Sequence, residues 1–311
     1  IMVIPLFMIF MIVVDQDTLG IAGGLYWTTI VIGVLFAFVA GFLFSSVAGY
    51  MAGLVGSSNN PISGVTIATV LTVSLVLLVV LGTQLDFLRA IVYTGYRFND
   101  RFLFNSEIEV EHADEISVEF AYVDYQAHDN FGVRGGMLLL PIGLVNEFHE
   151  PTVFLGAERP VTETRIIPST WRENGGGIYG SIDRVAFRAY VVNGFDGSSF
   201  SSGGVRGGRQ KGGKAKASNM AFTGRIDVTP TPGFFVGASL YTGGSGQGDI
   251  VVDGREIDVR TTIVDLHGQA QIRGLDVRGL YARTSIDDAA ELNQALGLRG
   301  SSGVGELMQG G

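Results

Sequence analysis

The sequence predicts a mixed membrane protein, in which N-terminal transmembrane α-helices precede a partial antiparallel transmembrane β-barrel of about ten strands. Two observations support this fold class. Residues 1–85 contain no Lys, Arg, Glu or His, and their only charged side chains are Asp15 and Asp17. After residue 85, charged residues are frequent and apolar residues recur with a period of two. We therefore divide the chain into a transmembrane helical fragment, 1–84, and a truncated β-barrel, 85–311.

The N-terminal fragment contains two uncharged apolar stretches, 18–56 and 61–81. A bilayer core about 30 Å thick is spanned by roughly 20 apolar residues in a helix. The second stretch is therefore long enough for one transmembrane helix. The first stretch would extend ~58 Å as a single helix. This is too long for one crossing, so we expect a break or a steep tilt.

A polar interruption separates the two apolar stretches, and it consists of Ser57, Ser58, Asn59, Asn60 and Pro61. Asn60 is a favourable N-cap, and Pro61 suits the first turn of a helix. Because unpaired backbone groups are costly in lipid, such an interruption must be buried in protein or face a water-filled cavity. Transporters place interruptions of this kind at substrate sites, but an ordinary polar loop between two spans fits equally well.

The stretch "YMAGLVGSSNNPISGVTIATV" resembles a signature stretch of the oligopeptide transporter (OPT) family, whose members are proton-coupled carriers of small peptides and metal chelates. The resemblance covers about residues 20–82. It implies that Ser57, Ser58, Asn59, Asn60 and Pro61 belong to a re-entrant or broken-helix element near a transport path. It also implies that the helical part belongs to an inner membrane.

Alternating apolar and polar residues predict β-strands from about residue 90 onward. Strands near ten residues long, joined alternately by short turns and by long loops at about 141–170, 195–219 and 243–260, are typical of an outer-membrane barrel. The predicted pore-lining residues on the polar face are Glu107, Glu109, Glu111, Arg134, Arg188, Arg225, Asp265, His267 and Arg273. The residues predicted for the opposite, lipid-facing side are Phe102, Phe104, Phe120, Tyr122, Phe187, Phe222, Val264 and Leu266.

A soluble β-sandwich has the same alternation, because its apolar faces point into a shared core. The sequence therefore leaves an alternative open, in which membrane helices anchor a soluble β-domain that binds a ligand or glycan. The two hypotheses differ in where Phe222, Val264 and Leu266 point. A packed interior around these side chains would favour the sandwich, and exposure would favour the barrel.

The stretches "RFNDRFLFNSEIEVEHA" and "IIPSTWRENGGGIYG" resemble bacterial outer-membrane porins akin to the phosphate-selective porin O and P family. The resemblance runs from about residue 86 to 311. It implies passive passage of small solutes or anions across the outer membrane of a Gram-negative bacterium. Porins of this kind have about 16 strands, so we expect that the strands found here do not close properly.

The two resemblances imply different cellular membranes for the two parts of the chain. Apolar helices retain a protein in the inner membrane, whereas outer-membrane barrels cross the periplasm unfolded. We therefore interpret the chain as an artefactual fusion, a chimera of two transport-protein fragments joined near 82–86. A genuine fusion is the alternative.

The long loop at 141–170 contains "NEFHEP", which places Glu147, His149 and Glu150 close together. An acid–base pair is one interpretation. A loop folded into a pore as a constriction is favoured, because pores use charged side chains to select solutes.

Composition excludes several other functions. The chain has no cysteine, so it has neither disulfides nor thiolate metal sites, and its four histidines lack metal-ligand spacing. The net charge of −9 argues against nucleic acid as a partner. Because no nucleophile constellation is evident, we expect no enzymatic activity, no catalytic residue and no cofactor. The expected partners are the lipid bilayer and transported solutes, and assembly into a homo-oligomer stays open.

Overall fold

The computed structural model describes residues 89–112, 114–148, 153–156 and 159–311, together with Trp27 and Val31. The chain divides into two compact units, Ile1–Leu88 and Arg89–Gly311. All the described strands belong to the second unit. The helical spans expected in 1–84, and the polar interruption at 57–61, lie outside the described residues.

Eleven strands of the second unit form one antiparallel sheet, in which strands that are neighbours in sequence are also neighbours in space. Two further short strands, β9 and β10, pair only with each other inside a loop. The strands are β1 Arg89–Arg97, β2 Phe102–Glu111, β3 Glu115–His128, β4 Phe131–Leu139, β5 Arg172–Ile182, β6 Val185–Asn193, β7 Met220–Thr231, β8 Phe234–Gly243, β9 Val251–Val252, β10 Arg255–Glu256, β11 Thr261–Ile272, β12 Leu275–Ile286 and β13 Leu307–Gly310.

The connections differ in length at the two ends of the sheet. Short turns of two to four residues join the strands at one end, such as the turn formed by Asp183 and Arg184. At the other end a short connection, 112–114, joins β2 to β3, and four long loops, 140–171, 194–219, 244–260 and 287–306, make the remaining connections. We call this second end the loop end.

The α-helices are few in the described part of the second unit. They are α1, Thr162–Arg165, and α2, Ala289–Leu296. Neither is long and apolar enough to cross a membrane, and the same holds for every helix among the described residues.

The predicted fold class is therefore wrong. It assigned transmembrane helices followed by about ten strands, whereas the described chain is one eleven-stranded sheet with two short helices. The prediction lacks β9 and β10, which lie in a predicted loop, and one strand of the large sheet, β13, which is only four residues long and lies in a glycine-rich stretch. Its alternation is too short to be recognised from the sequence. Within the described residues, β1 and β13 each pair with a strand on one side only.

The two faces of the sheet have opposite polarity. Side chains on the face that carries Asp124, Arg134 and Arg225, called the inner face, are mostly polar or charged and are buried or half-buried. The opposite face, called the outer face, carries large apolar side chains that are exposed, with Leu266 64% and Val264 40% accessible. This distribution is the reverse of that expected for a soluble sheet protein.

The largest apolar cluster lies at the loop end. Trp171 stacks on Phe195 with ring centroids 4.4 Å apart, and Tyr241 packs against both rings. The backbone N–H of Phe195 also donates a hydrogen bond of 3.1 Å to the hydroxyl oxygen of Tyr241. Ile250 and Leu292, from two further loops, are buried in the same cluster. The segments of the long loops that contain these residues are therefore packed against one another and against Tyr241 of the sheet.

Candidate functional site

The loop 140–171, called the long loop, contacts the inner face of the sheet. The backbone N–H of Gly143 donates a hydrogen bond of 3.1 Å to Oδ2 of Asp265 on β11. Arg278 on β12 donates a hydrogen bond of 2.6 Å to the carbonyl oxygen of Val153. At the other end of the loop, Thr284 donates a hydrogen bond of 2.9 Å to the carbonyl oxygen of Ile166.

A network of charged side chains lies beneath this loop, and Asp227 is at its centre. Arg225 Nε lies 2.7 Å from one carboxylate oxygen of Asp227, and Nη1 of Arg188 lies 3.4 Å from the same oxygen. His267 Nε2 lies 2.9 Å from the other oxygen. The neighbouring carboxylate, Asp265, contacts Nδ1 of His267. Alternation places these residues on one face of β6, β7 and β11.

Glu147 connects the long loop to this network. Its Oε1 lies 3.0 Å from Nε of Arg188, and its Oε2 lies 3.9 Å from Nη1 of Arg225. Arg225 also donates a hydrogen bond to the carbonyl oxygen of Gly143. We call Glu147, Arg188, Arg225, Asp227, Asp265 and His267 the inner charge network. The side chains of Asp265 and His267 have no accessible surface.

A second charged pair lies next to a cavity on the inner face. Arg134 donates two hydrogen bonds to Asp124, of 2.7 and 2.9 Å, and its guanidinium lies 4.0 Å from the ring centroid of Tyr122 and 4.8 Å from that of Tyr179. The cavity has a volume of about 330 Å³, and Glu147 also contributes to its wall. It therefore combines aromatic surfaces with paired charges, a combination suited to small polar solutes.

A third cluster lies near the loop end of β1, β2 and β3. Arg89 forms ion pairs with Glu109 and Glu111, the latter at 2.8 Å. Arg172 lies 2.8 Å from Glu119, and both side chains are almost completely buried. Buried charges of this kind are tolerated only when they are paired.

Eight of the nine predicted pore-lining residues lie on the inner face, as the strand pairing shows. They are Glu107, Glu109, Glu111, Arg134, Arg188, Arg225, Asp265 and His267. Arg273 does not lie there. It is exposed in the turn between β11 and β12, with φ of 50°, because the strand ends at Ile272. The residues predicted for the transporter-like path, Ser57, Ser58, Asn59, Asn60 and Pro61, lie outside the described part of the chain.

A β-bulge changes the face assignment in β3. The pairing with β2 shifts between Glu107 and Ile108, so that Glu119 is an extra residue on β3. Phe120 and Tyr122 therefore lie on the inner face, although alternation predicted the outer face. Bulges are not visible in a period-two pattern.

The list of predicted pore-lining residues did not include Asp124, Glu119 or Asp227. A usable signal existed for Asp227, because it follows Arg225 by two residues and must share its face. Alternation does not identify Asp124 in the same way. The bulge at Glu119 exchanges the two faces for the rest of β3, so Asp124 lies on the inner face although uninterrupted alternation places it on the outer face.

Glu163 is a buried carboxylate within the long loop. Its Oε1 accepts a hydrogen bond of 2.7 Å from the backbone N–H of Val145. Burial raises the pKa of Glu163 from its ordinary value of 4.5, although the hydrogen bonds from Val145 and Leu144 act in the opposite direction. The protonation state of Glu163 is thus linked to the folded conformation of the loop.

The chain has a relative in Aquifex aeolicus (strain VF5), a protein described as uncharacterized. The two are 42% identical over 223 residues, which cover 68% of this chain and 50% of the relative. The chain thus spans about half the length of the curated relative that it matches. No protein-family model matches the chain. Neither the oligopeptide transporter resemblance nor the idea of a chimera is therefore supported by a family match.

Solved structures similar to this chain include a loop L8 deletion mutant of OmpT, an outer membrane protein of Vibrio cholerae. It is 10% identical, with 64% of this chain and 74% of that chain covered and a TM-score of 0.35. OpdL of Pseudomonas aeruginosa is 15% identical, with 65% and 49% covered and a TM-score of 0.33.

The inner charge network predicts a large effect of substituting Arg225. In Arg225→Met, Asp227 loses its closest cation and the carbonyl of Gly143 loses its donor. We expect the free energy of unfolding to fall by about 3–5 kcal/mol, as measured by urea unfolding. The control, Arg273→Met, removes an exposed turn cation and is expected to change it by less than about 0.5 kcal/mol. Equal effects of the two substitutions would contradict the network.

The raised pKa of Glu163 predicts a pH-dependent stability. The folded chain holds this proton more tightly than the unfolded chain does. The free energy of unfolding should therefore fall as pH rises from about 4.5 through the raised pKa of the folded state. Glu163→Gln keeps a hydrogen-bond acceptor but cannot ionise, so it should remove this part of the slope. Urea unfolding at a series of pH values measures the dependence of the free energy of unfolding on pH. If the unaltered chain and Glu163→Gln show the same dependence, Glu163 is not its cause.

Proposed function

We propose that residues 89–311 form part of the wall of an outer-membrane β-barrel, whose outer face contacts lipid and whose inner face lines a passive path for small polar solutes. The observation that supports this proposal is the reversed polarity of the sheet. Exposed Val264 and Leu266 alternate along β11 with the buried, polar Asp265 and His267.

The outer face has the composition expected of a lipid-facing surface. Soluble monomers rarely expose contiguous apolar patches beyond a few hundred Å². Here exposed apolar side chains continue across strands from β3 to β12, and they include Val123, Val133, Ile178, Val191, Phe222, Ile226, Val236, Leu266, Val277 and Tyr281. These residues are not packed in a shared interior, which argues against the soluble sandwich and the ligand-binding domain that it implied.

The inner face has the composition expected of an aqueous path with a constriction. The long loop lies on that face, and Glu147 contacts Arg188 and Arg225 of the wall. Because the charges are paired with one another, we propose discrimination by size and hydrogen bonding rather than by a single sign of charge. The proposed activity is passive and involves no covalent chemistry. A Gram-negative outer membrane is the location that this activity requires, and transport of peptides or metal chelates is not part of the proposal.

Site-directed spin labelling in liposomes tests the proposal. The chain has no cysteine, so single cysteines can be introduced without background. Labels at Val264→Cys and Leu266→Cys should collide with lipid-soluble oxygen and not with a water-soluble nickel chelate. The matched label at Gln269→Cys, three residues along the same strand on the inner face, should show the reverse preference. Equal access of the nickel chelate to all three labels would contradict the proposal.

A further inference from the structure

The outer face has a groove over β7, β8, β11 and β12, with a volume of about 780 Å³. Its floor is formed by Gly268 and Gly279, which lie directly opposite each other in the strand register. Two adjacent residues without side chains leave a gap in an otherwise continuous apolar surface. The walls are apolar and include Val236, Leu266 and Val277.

An arginine lies on the same face, toward the loop end. Arg283 is paired with Val264 across β11 and β12, two positions beyond the pair of Tyr281 and Leu266. It is exposed, and it forms no ion pair with the described part of the chain. A guanidinium on an apolar surface that faces lipid is stabilised by an anionic group from outside the protein.

The groove and the cation lie along one strand. Gly279 and Arg283 are four residues apart on β12, which corresponds to about 13 Å. An acyl chain in the groove would therefore be in reach of a phosphate at Arg283. A free phosphate would leave the groove empty, and a neutral hydrocarbon would leave Arg283 without a counterion.

We propose that this groove and Arg283 together form a binding site for an anionic, phosphate-bearing membrane lipid, with an acyl chain over Gly268 and Gly279 and the phosphate at Arg283. This inference rests on the proposed function, because it requires the outer face to contact lipid. Tyr281, which lies between the two parts of the site, is the type of residue that is favoured at a membrane interface.

Two variants separate the contributions of the groove and of the charge. Gly279→Leu fills the groove, and no atom lies within 4 Å of the added Cβ, so the sheet can accommodate it. Arg283→Gln removes the charge. Arg273→Gln, a cation in the turn that follows β11, is the matched control.

The experiment measures lipid retained by the chain in native mass spectrometry, after exchange between phosphatidylglycerol and phosphatidylcholine with identical acyl chains. The unaltered chain and Arg273→Gln should prefer phosphatidylglycerol by about fivefold, which is the effect of one basic side chain near an anionic lipid surface. Arg283→Gln should lose this preference, and Gly279→Leu should retain less of both lipids.

Equal retention of the two lipids by the unaltered chain, or unchanged retention in both variants, would overturn the inference. Spin labels distinguish the two possible causes of such a failure. If Leu266→Cys contacts lipid-soluble oxygen and the variants still behave like the unaltered chain, only the lipid site is wrong. If that label contacts water, the proposed function fails as well.

Discussion

A carboxylate enclosed by protein is tolerated only when cations and hydrogen-bond donors surround it. Asp227 meets this condition through Arg188, Arg225 and His267, which belong to β6, β7 and β11. Because Arg188 and Arg225 also bind Glu147, the same pairing fixes the long loop to the inner face. The position of the loop, the burial of the inner charges and the shape of the cavity beside Arg134 all depend on this network.

The inner charge network and the apolar outer face both result from the alternation of polar and apolar side chains along the strands. A sheet that buries charge on one face has its remaining apolar side chains on the other, and these must contact something other than water. Packing against a second sheet would satisfy them in a soluble sandwich. Instead, the apolar cluster around Trp171 and Tyr241 lies at the loop end and leaves the outer face uncovered. In the proposed function, lipid is the environment that contacts this face.

The sequence contained most of the information about the strands and much of that about the inner face. Period-two alternation correctly places Leu266 and His267 on opposite faces, because successive side chains of a regular strand point in opposite directions. It fails at Tyr122, where the bulge at Glu119 reverses the phase, and at Arg273, which lies beyond the end of its strand. Turns and bulges depend on local backbone conformation, which alternation does not encode.

Contacts between distant segments could not be read from the sequence at all. Gly143 and Asp265 are 122 residues apart, and their hydrogen bond depends on how the long loop folds over β11. The sequence suggested that the loop around Glu147 enters a pore, but nothing in it identified Arg188 and Arg225 as the partners. Such contacts result from the order of strands in the sheet, and only the folded chain brings them together.

The most direct measurement of the central claim is the flux of small polar solutes through liposomes that contain the whole chain. Glu147→Gln should weaken the attachment of the long loop to Arg188 and Arg225, and should increase the flux of solutes near the size limit. Glu256→Gln, an exposed acid in the short strand β10, should leave the flux unchanged. Equal flux in all three chains would contradict the claim that a charge-anchored loop constricts a polar path along the inner face.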